Sequence, residues 1–152
     1  MLRIMEGGLD DARVIALLKH HFDTNIALTP PGSAHVFDLS RLRQPDISFW
    51  SAWKEDTLAG VGALKRMDAA NGEVKSMHTL SSLRRSGVGA ALLRHILAHA
   101  AAVGLERLWL ETGSFDYFAP ARALYARHGF VECQPFQGYR PDPNSTFMTR
   151  EV

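Results

Sequence analysis

The sequence predicts a mixed α/β layer fold built as one domain. Three observations predict it. Strand-like and helix-like periodicities alternate along the chain, turn residues punctuate the alternation, and the 152 residues are 46% hydrophobic and 22% charged, the profile of one compact unit. A chain of this length buries a real core, and no repeat, low-complexity segment or linker divides it.

Leu2 to Met5 reads as a first strand. Asp10 or Asp11 caps a helix whose apolar residues Val14, Ile15, Leu18 and Phe22 recur at helical spacing. Thr24 to Pro45 contains Pro30-Pro31-Gly32 and then a weak helical pattern over Val36 to Leu42, so a flexible loop and a short helix are expected, serving as a substrate lid or as a surface connection. Ile47 to Trp53 and Leu58 to Leu64 are two β-rich runs separated by Lys54 to Thr57, which predicts a hairpin. After the turn Asp68 to Gly72 comes a third run, Glu73 to Leu80, then a polar loop and a helix over Val88 to Val103. Leu92, Leu93, Ile96, Leu97, Ala100 and Val103 form its apolar stripe and Gly104 ends it. A strand at Arg107 to Glu111, a helix at Pro120 to His128 and closing strands at Phe130 to Phe136 and Thr146 to Glu151 complete the chain.

Charge and cysteine usage exclude several classes. Lysine plus arginine (17) nearly balances aspartate plus glutamate (16), so no broad field recruits nucleic acid or an anionic membrane. Cys133 is the only cysteine, which rules out an intramolecular disulfide and gives no sign of an oxidising compartment. Met1 to Gly8 carries Glu6 and two glycines where a signal peptide needs an apolar run, and no later stretch reaches membrane-spanning length. A cytoplasmic protein is expected.

The chemistry concentrates in Arg84-Arg85-Ser86-Gly87-Val88-Gly89-Ala90, between a strand and an amphipathic helix. A helix start offers unpaired N–H groups and the positive end of the helix dipole, which suits a pyrophosphate. Gly87 and Gly89 carry no side chain to block the approach, and Arg84 and Arg85 add charge and forked donors. The bland alternative is a loop with a glycine turn. A dinucleotide fingerprint would need glycine at Leu92, and the lysine and hydroxyl of a P-loop are missing.

Arg84 to Gly89 fits [Q/R]-x-x-G-x-[G/A], and here the sequence resembles the GNAT superfamily of acyl-CoA-dependent N-acyltransferases. Ala121-Arg122-Ala123-Leu124-Tyr125-Ala126-Arg127-His128-Gly129-Phe130 is similar to that family's A-x-x-L-Y-x-x-x-G-F element, in the expected order after the first motif. The runs Glu73 to Met77, Leu110 to Ser114, Tyr117 to Ala121, Asp142 to Ser145 and Phe147-Met148 resemble bacterial N-acetyltransferases of the YsnE type within it. The resemblance covers about Ile47 to Val152 and implies a mixed, mostly antiparallel sheet flanked by helices, with acetyl-CoA as cosubstrate and no metal.

The resemblance also implies roles. Backbone groups of Met77, His78 and Thr79 meet the pantetheine arm, and amides of Ser86, Gly87, Val88, Gly89 and Ala90 hold the pyrophosphate. Tyr125 protonates the departing thiolate. Glu73, eleven positions before Arg84, stands where one branch of the family carries its base. Many members have asparagine seven residues before the tyrosine, whereas this chain has Phe118.

Each role has a competing reading. Tyr125 is a general acid or a packed helix aromatic, and Glu73 a base, directly or through water, or a strand-start carboxylate in solvent. Glu111 is the rival base or a ligand for a cationic substrate. His95 and His99 have a metal-gripping spacing but no third ligand, and His20, His21 and His128 have no better claim. His78 on the catalytic strand reads as a half-buried histidine, Cys133 has no identifiable base, and Phe49, Trp50 and Trp53 read as core and hairpin.

The expected reaction is direct attack of an amine on acetyl-CoA, with a CoA-binding sensor or interaction module that no longer turns over as the alternative. Small-molecule amines, free amino acids and peptide N-termini all satisfy the chemistry. Thr24 to Arg43, the Ser114 to Phe118 loop with Ser114 and Phe118 themselves, Glu111 and the last hairpin are expected to choose among them. The last strands are also a possible homodimer edge.

Overall fold

The structure, a computed structural model, describes residues 1–28, 38–80, 83 and 86–152. One seven-stranded sheet carries β1 (Leu2–Glu6), β2 (Ile47–Lys54), β3 (Thr57–Arg66), β4 (Asn71–Thr79), β5 (Arg107–Gly113), β6 (Val131–Cys133) and β7 (Ser145–Glu151). Their order is β1-β2-β3-β4-β5-β7-β6, and every neighbouring pair is antiparallel except β4 with β5. Helix α1 (Ala12–Ala27) covers one face, and α2 (Val88–Ala102) and α3 (Ala119–Arg127) cover the other. No helix among the described residues is long and apolar enough to cross a membrane.

Local signals account for most of the boundaries. Asp11 caps α1 by accepting from the Arg13 amide, and Val14, Leu17 and Leu18 face the sheet. Leu92, Leu93 and Ile96 of α2 are fully inaccessible, and burial of each contributes about 1.5–3 kcal/mol of transfer free energy. Val103, assigned to the same stripe from periodicity, lies beyond the helix and is exposed, because the chain turns away there toward Gly104 at φ 83°.

Three other expectations are corrected. Asn71 and Gly72 belong to β4 rather than to the turn before it, because Gly72 must lie flat against Leu105, Leu108 and Leu64. The segment Phe130 to Phe136 yields only the three-residue β6, since the chain leaves the sheet after Cys133 and carries Phe136 across its face. A 3₁₀ turn, Leu39–Arg43 capped by Asp38, stands where the short helix was expected; the Pro30-Pro31-Gly32 loop and Val36 lie outside the described residues.

Two clusters sandwich the sheet. On the α2 side, Trp50, Leu64, Val74, Leu108, Leu110 and Met148 pack with α2, Tyr125 and Phe130. On the α1 side, Phe49, Trp53, Val61 and Ala63 pack with Val14, Leu17 and Leu18. Phe49, Trp50 and Trp53 are thus core on both faces.

Candidate functional site

The sheet is split at its only parallel pair. β4 and β5 are joined through Asn71–Arg107, Gly72–Leu108 and Glu73–Trp109, and there the pairing ends. β4 runs on beside β3 to Thr79, and β5 runs on beside β7 to Gly113. A β-bulge sets the direction of β4: Gly62 of β3 faces two residues of β4, Ser76 and Met77, and Ser76 adopts φ 58°. An extra residue bends and twists its strand, so β4 leaves β5. Past Glu73, β4 has no strand on that side among the described residues, and its backbone donors and acceptors face the gap.

The bulge also fixes which side chains face which way. Met77 lies over Gly62, where an added Cβ would stand 2.7 Å from its sulfur, and Thr79 faces α2. His78, between them, points to the α1 face and meets His21, with Nδ1 to Nδ1 at 2.9 Å, and the ring of His20. Burial and the neighbouring His20 lower the His21 pKa to about 4.

The start of α2 stands at the end of β4. Its N-cap is Gly87, at φ 87°, and no side chain caps the helix among the described residues, so the first-turn amides of Val88, Gly89 and Ala90 are ones that the helix itself does not pair. The Ser86 amide already donates to the Leu83 carbonyl at 3.3 Å, and its hydroxyl bonds the same oxygen. A Cβ on Gly89 would lie 3.1 Å from Leu124 of α3 and 3.5 Å from the Thr79 hydroxyl. That glycine therefore lets α2, α3 and β4 converge, a packing role that its place in an anion cradle does not by itself suggest. Arg84 and Arg85 lie outside the described residues.

Tyr125 of α3 is 6% exposed, sits edge-on to Phe130 and shares its cluster with Val88 of α2 and Leu110 of β5. Burial pushes its phenol pKa well up, so the hydroxyl stays protonated through neutral pH. Phe118 closes the end of β5: a Cβ on Gly113 would fall 2.1 Å from its ring, and Arg122 donates to the Gly113 carbonyl at 2.6 Å. Ser114 ties the same strand end to the loop before β7, its hydroxyl donating to the Pro143 carbonyl at 2.6 Å.

Glu73 lies on the other face. Val74 and Leu108 belong to the α2-side cluster, so their neighbours Glu73 and Trp109 point to the α1 side, as strand alternation requires. Although only 6% exposed, Glu73 has two donors on Oε2, the Tyr139 hydroxyl at 2.7 Å and Lys75 Nζ at 3.4 Å. The Tyr139 ring meets Phe136 and Phe147 edge-on, and Phe136 meets Trp109. Glu111 is held separately, accepting from the Ser145 hydroxyl at 2.6 Å. Tyr139 belongs to no spaced motif; its trace in the sequence is an aromatic directly after Gly138 in the segment between the last two strands.

The remaining candidates are placed apart from the gap. His95 and His99 lie against the Trp50 ring, and His128 meets the Leu124 carbonyl. Burial raises the Cys133 pKa, which disfavours a thiolate. Among the described residues no three metal-ligating side chains come together.

The arrangement offers two strands that part within one sheet, with the start of α2 and a protonated phenol on one face and a carboxylate on the other. The acetyltransferase (GNAT) family model matches residues 14–130. The uncharacterised N-acetyltransferase YsnE of Bacillus subtilis (strain 168) is 48% identical over 151 residues, covering 99% of this chain and 100% of that protein. A Klebsiella pneumoniae structure assigned as an acyl-CoA N-acyltransferase superposes with a TM-score of 0.84 at 28% identity, over 99% of this chain and 97% of that one. A Bacillus subtilis acetyltransferase in complex with CoA shares the fold at a TM-score of 0.75 and 18% identity, over 100% of this chain and 99% of that one.

Proposed function

The chain belongs to the GNAT family of acetyltransferases, and we propose that it moves the acetyl group of acetyl-CoA onto an amine by direct attack. The observation that carries this reading is the gap between β4 and β5, with the uncapped start of α2 at one end of it. In this reading the pantetheine arm lies along β4 at Met77, His78 and Thr79, on the side past the last β4–β5 pair, in the manner of an added strand. Its pyrophosphate meets the amides of Val88, Gly89 and Ala90, with Ser86, Gly87, Arg84 and Arg85 completing the cradle. The CoA complex of the structural neighbour supports the cosubstrate, since the same fold accommodates it there.

The amine enters from the face that carries Glu73. That carboxylate takes the proton, the free amine attacks the thioester through the gap, and Tyr125, protonated at working pH, gives its proton to the CoA thiolate. Holding both reactants at one opening supplies much of the acceleration. Glu111, Ser114 and Phe118 border the amine's side of β5 and contribute to the choice of acceptor. Calorimetry with CoA, followed by release of free CoA thiol over a panel of amines, tests the reading. Binding with amine-dependent release supports it, and binding without release assigns the chain to CoA sensing.

A further inference from the structure

The Tyr139–Glu73 contact carries a role that neither motif of the sequence assigns. We infer that Tyr139 is a positioning residue for acetyl transfer, its hydroxyl fixing the Glu73 carboxylate through Oε2 and leaving Oε1 for the proton of the incoming amine. The inference rests on Glu73 being the base.

Glu73 is only 6% exposed, and a buried carboxylate needs hydrogen-bond donors to offset its lost hydration. Of its two side-chain donors among the described residues, Tyr139 at 2.7 Å lies at the optimum for an O–H donor, whereas Lys75 at 3.4 Å is beyond the normal N–H···O range. Both reach Oε2, so Oε1 is the oxygen left to accept the proton.

The donor is itself held in place. Phe136 to Tyr139 form a tight turn closed by the Tyr139 amide on the Phe136 carbonyl at 3.0 Å, with Gln137 and Gly138 at φ 25° and 83°. The ring is then gripped edge-on by Phe136 and Phe147, at centroid distances of 5.0 and 5.4 Å. The titratable groups that face the hydroxyl are Glu73 and Lys75 of β4 and Glu111 of β5. Burial and the two carboxylates push the phenol pKa far up, so Tyr139 remains a donor across the working range.

Because the ring supplies the packing and the hydroxyl the chemistry, Tyr139→Phe separates them. The experiment compares kcat/KM against pH for wild type, Y139F, E73Q and the double variant, using acetyl-CoA and the fastest amine of the panel. Y139F should melt a few degrees lower than wild type, because a buried carboxylate loses its best donor, yet keep its KM for acetyl-CoA and lose roughly five- to tenfold in kcat/KM at neutral pH. Its acid limb should move to higher pH, so that its rate approaches wild type under alkaline conditions. The double variant should be no slower than E73Q. Difluorotyrosine at position 139, a stronger donor of nearly the same shape, should move the acid limb the opposite way, and it keeps the question answerable if Y139F folds poorly. An unmoved acid limb in both substitutions, or losses that multiply in the double variant, overturns the role of Tyr139 while a slow E73Q leaves the base in place. E73Q at wild-type rate with an unchanged profile overturns the base and the inference together.

Discussion

Glu73 of β4 and Trp109 of β5 are the last residues that the two parallel strands share, and the sheet opens immediately beyond them. The carboxylate expected to activate the amine therefore stands at the apex of the split, on the face away from Tyr125. The proposed reaction needs this separation. A thioester bound on the α2 side and an amine held on the α1 side can meet only through the opening.

The first prediction concerns Gly89. A valine there would press on Leu124 and Thr79, so α3 must shift from α2, at a cost of about 1–3 kcal/mol by analogy with overpacked cores. In wild type, CoA at about a hundred times its dissociation constant should add about 2.7 kcal/mol to stability. Melting curves with and without CoA should show a lower midpoint for Gly89→Val and no CoA-dependent rise. A normal rise in a folded variant removes the first turn of α2 from the binding site.

Tyr125→Phe tests the acid. The ring and its contact with Phe130 survive, so the fold and acetyl-CoA affinity should stay close to wild type. Turnover should fall by roughly 10²-fold or more with an acceptor for which chemistry limits the rate. Near-normal turnover would leave Tyr125 as packing and assign the proton to water or another donor.

The two carboxylates can be separated by comparing Glu73→Gln with Glu111→Gln. Glu73→Gln should slow turnover at neutral pH and lose less at high pH, where the amine is already deprotonated. Glu111→Gln keeps an acceptor for Ser145 and should change acceptor KM more than the shape of the pH profile. The reverse pattern in steady-state kinetics transfers the base to Glu111.

His21 predicts a pH dependence of stability. Its pKa falls from 6.5 to about 4 on folding, so between those values the unfolded chain binds more protons than the native one. Stability from this group is then present above pH 6.5 and lost as the pH falls toward 4, by up to about 3 kcal/mol. Chemical denaturation across that window should show a shallower slope for His21→Gln. Equal slopes in the two proteins would place the titration elsewhere.

The sequence was most legible where local rules act alone. The Asp11 cap, the hairpin at Lys54 to Thr57 and the α2 stripe through Ala100 follow from capping and periodicity. Resemblance to a known family supplied the order of the site. It could not supply the bulge at Ser76, because no glycine marks the positive φ there, and without the bulge the turn of His78 toward α1 is invisible. Tyr139 is not legible in the sequence for a related reason: its partner Glu73 lies 66 positions away, and only the path of the last loop across the sheet brings them together. In the sequence Gly89 signals room for phosphate, while its contact with Leu124 depends on how two helices meet.

The most direct measurement counts products in one reaction mixture. Wild-type protein is incubated with acetyl-CoA and, in turn, small amines, free amino acids and peptides with free N-termini, and both CoA thiol and acetylated amine are quantified. The account predicts that at least one acceptor accelerates thiol release, with one acetylated amine formed for each thiol and Tyr125→Phe slowing both together. Calorimetric binding of CoA with thiol release that no amine raises above the rate in its absence would contradict it.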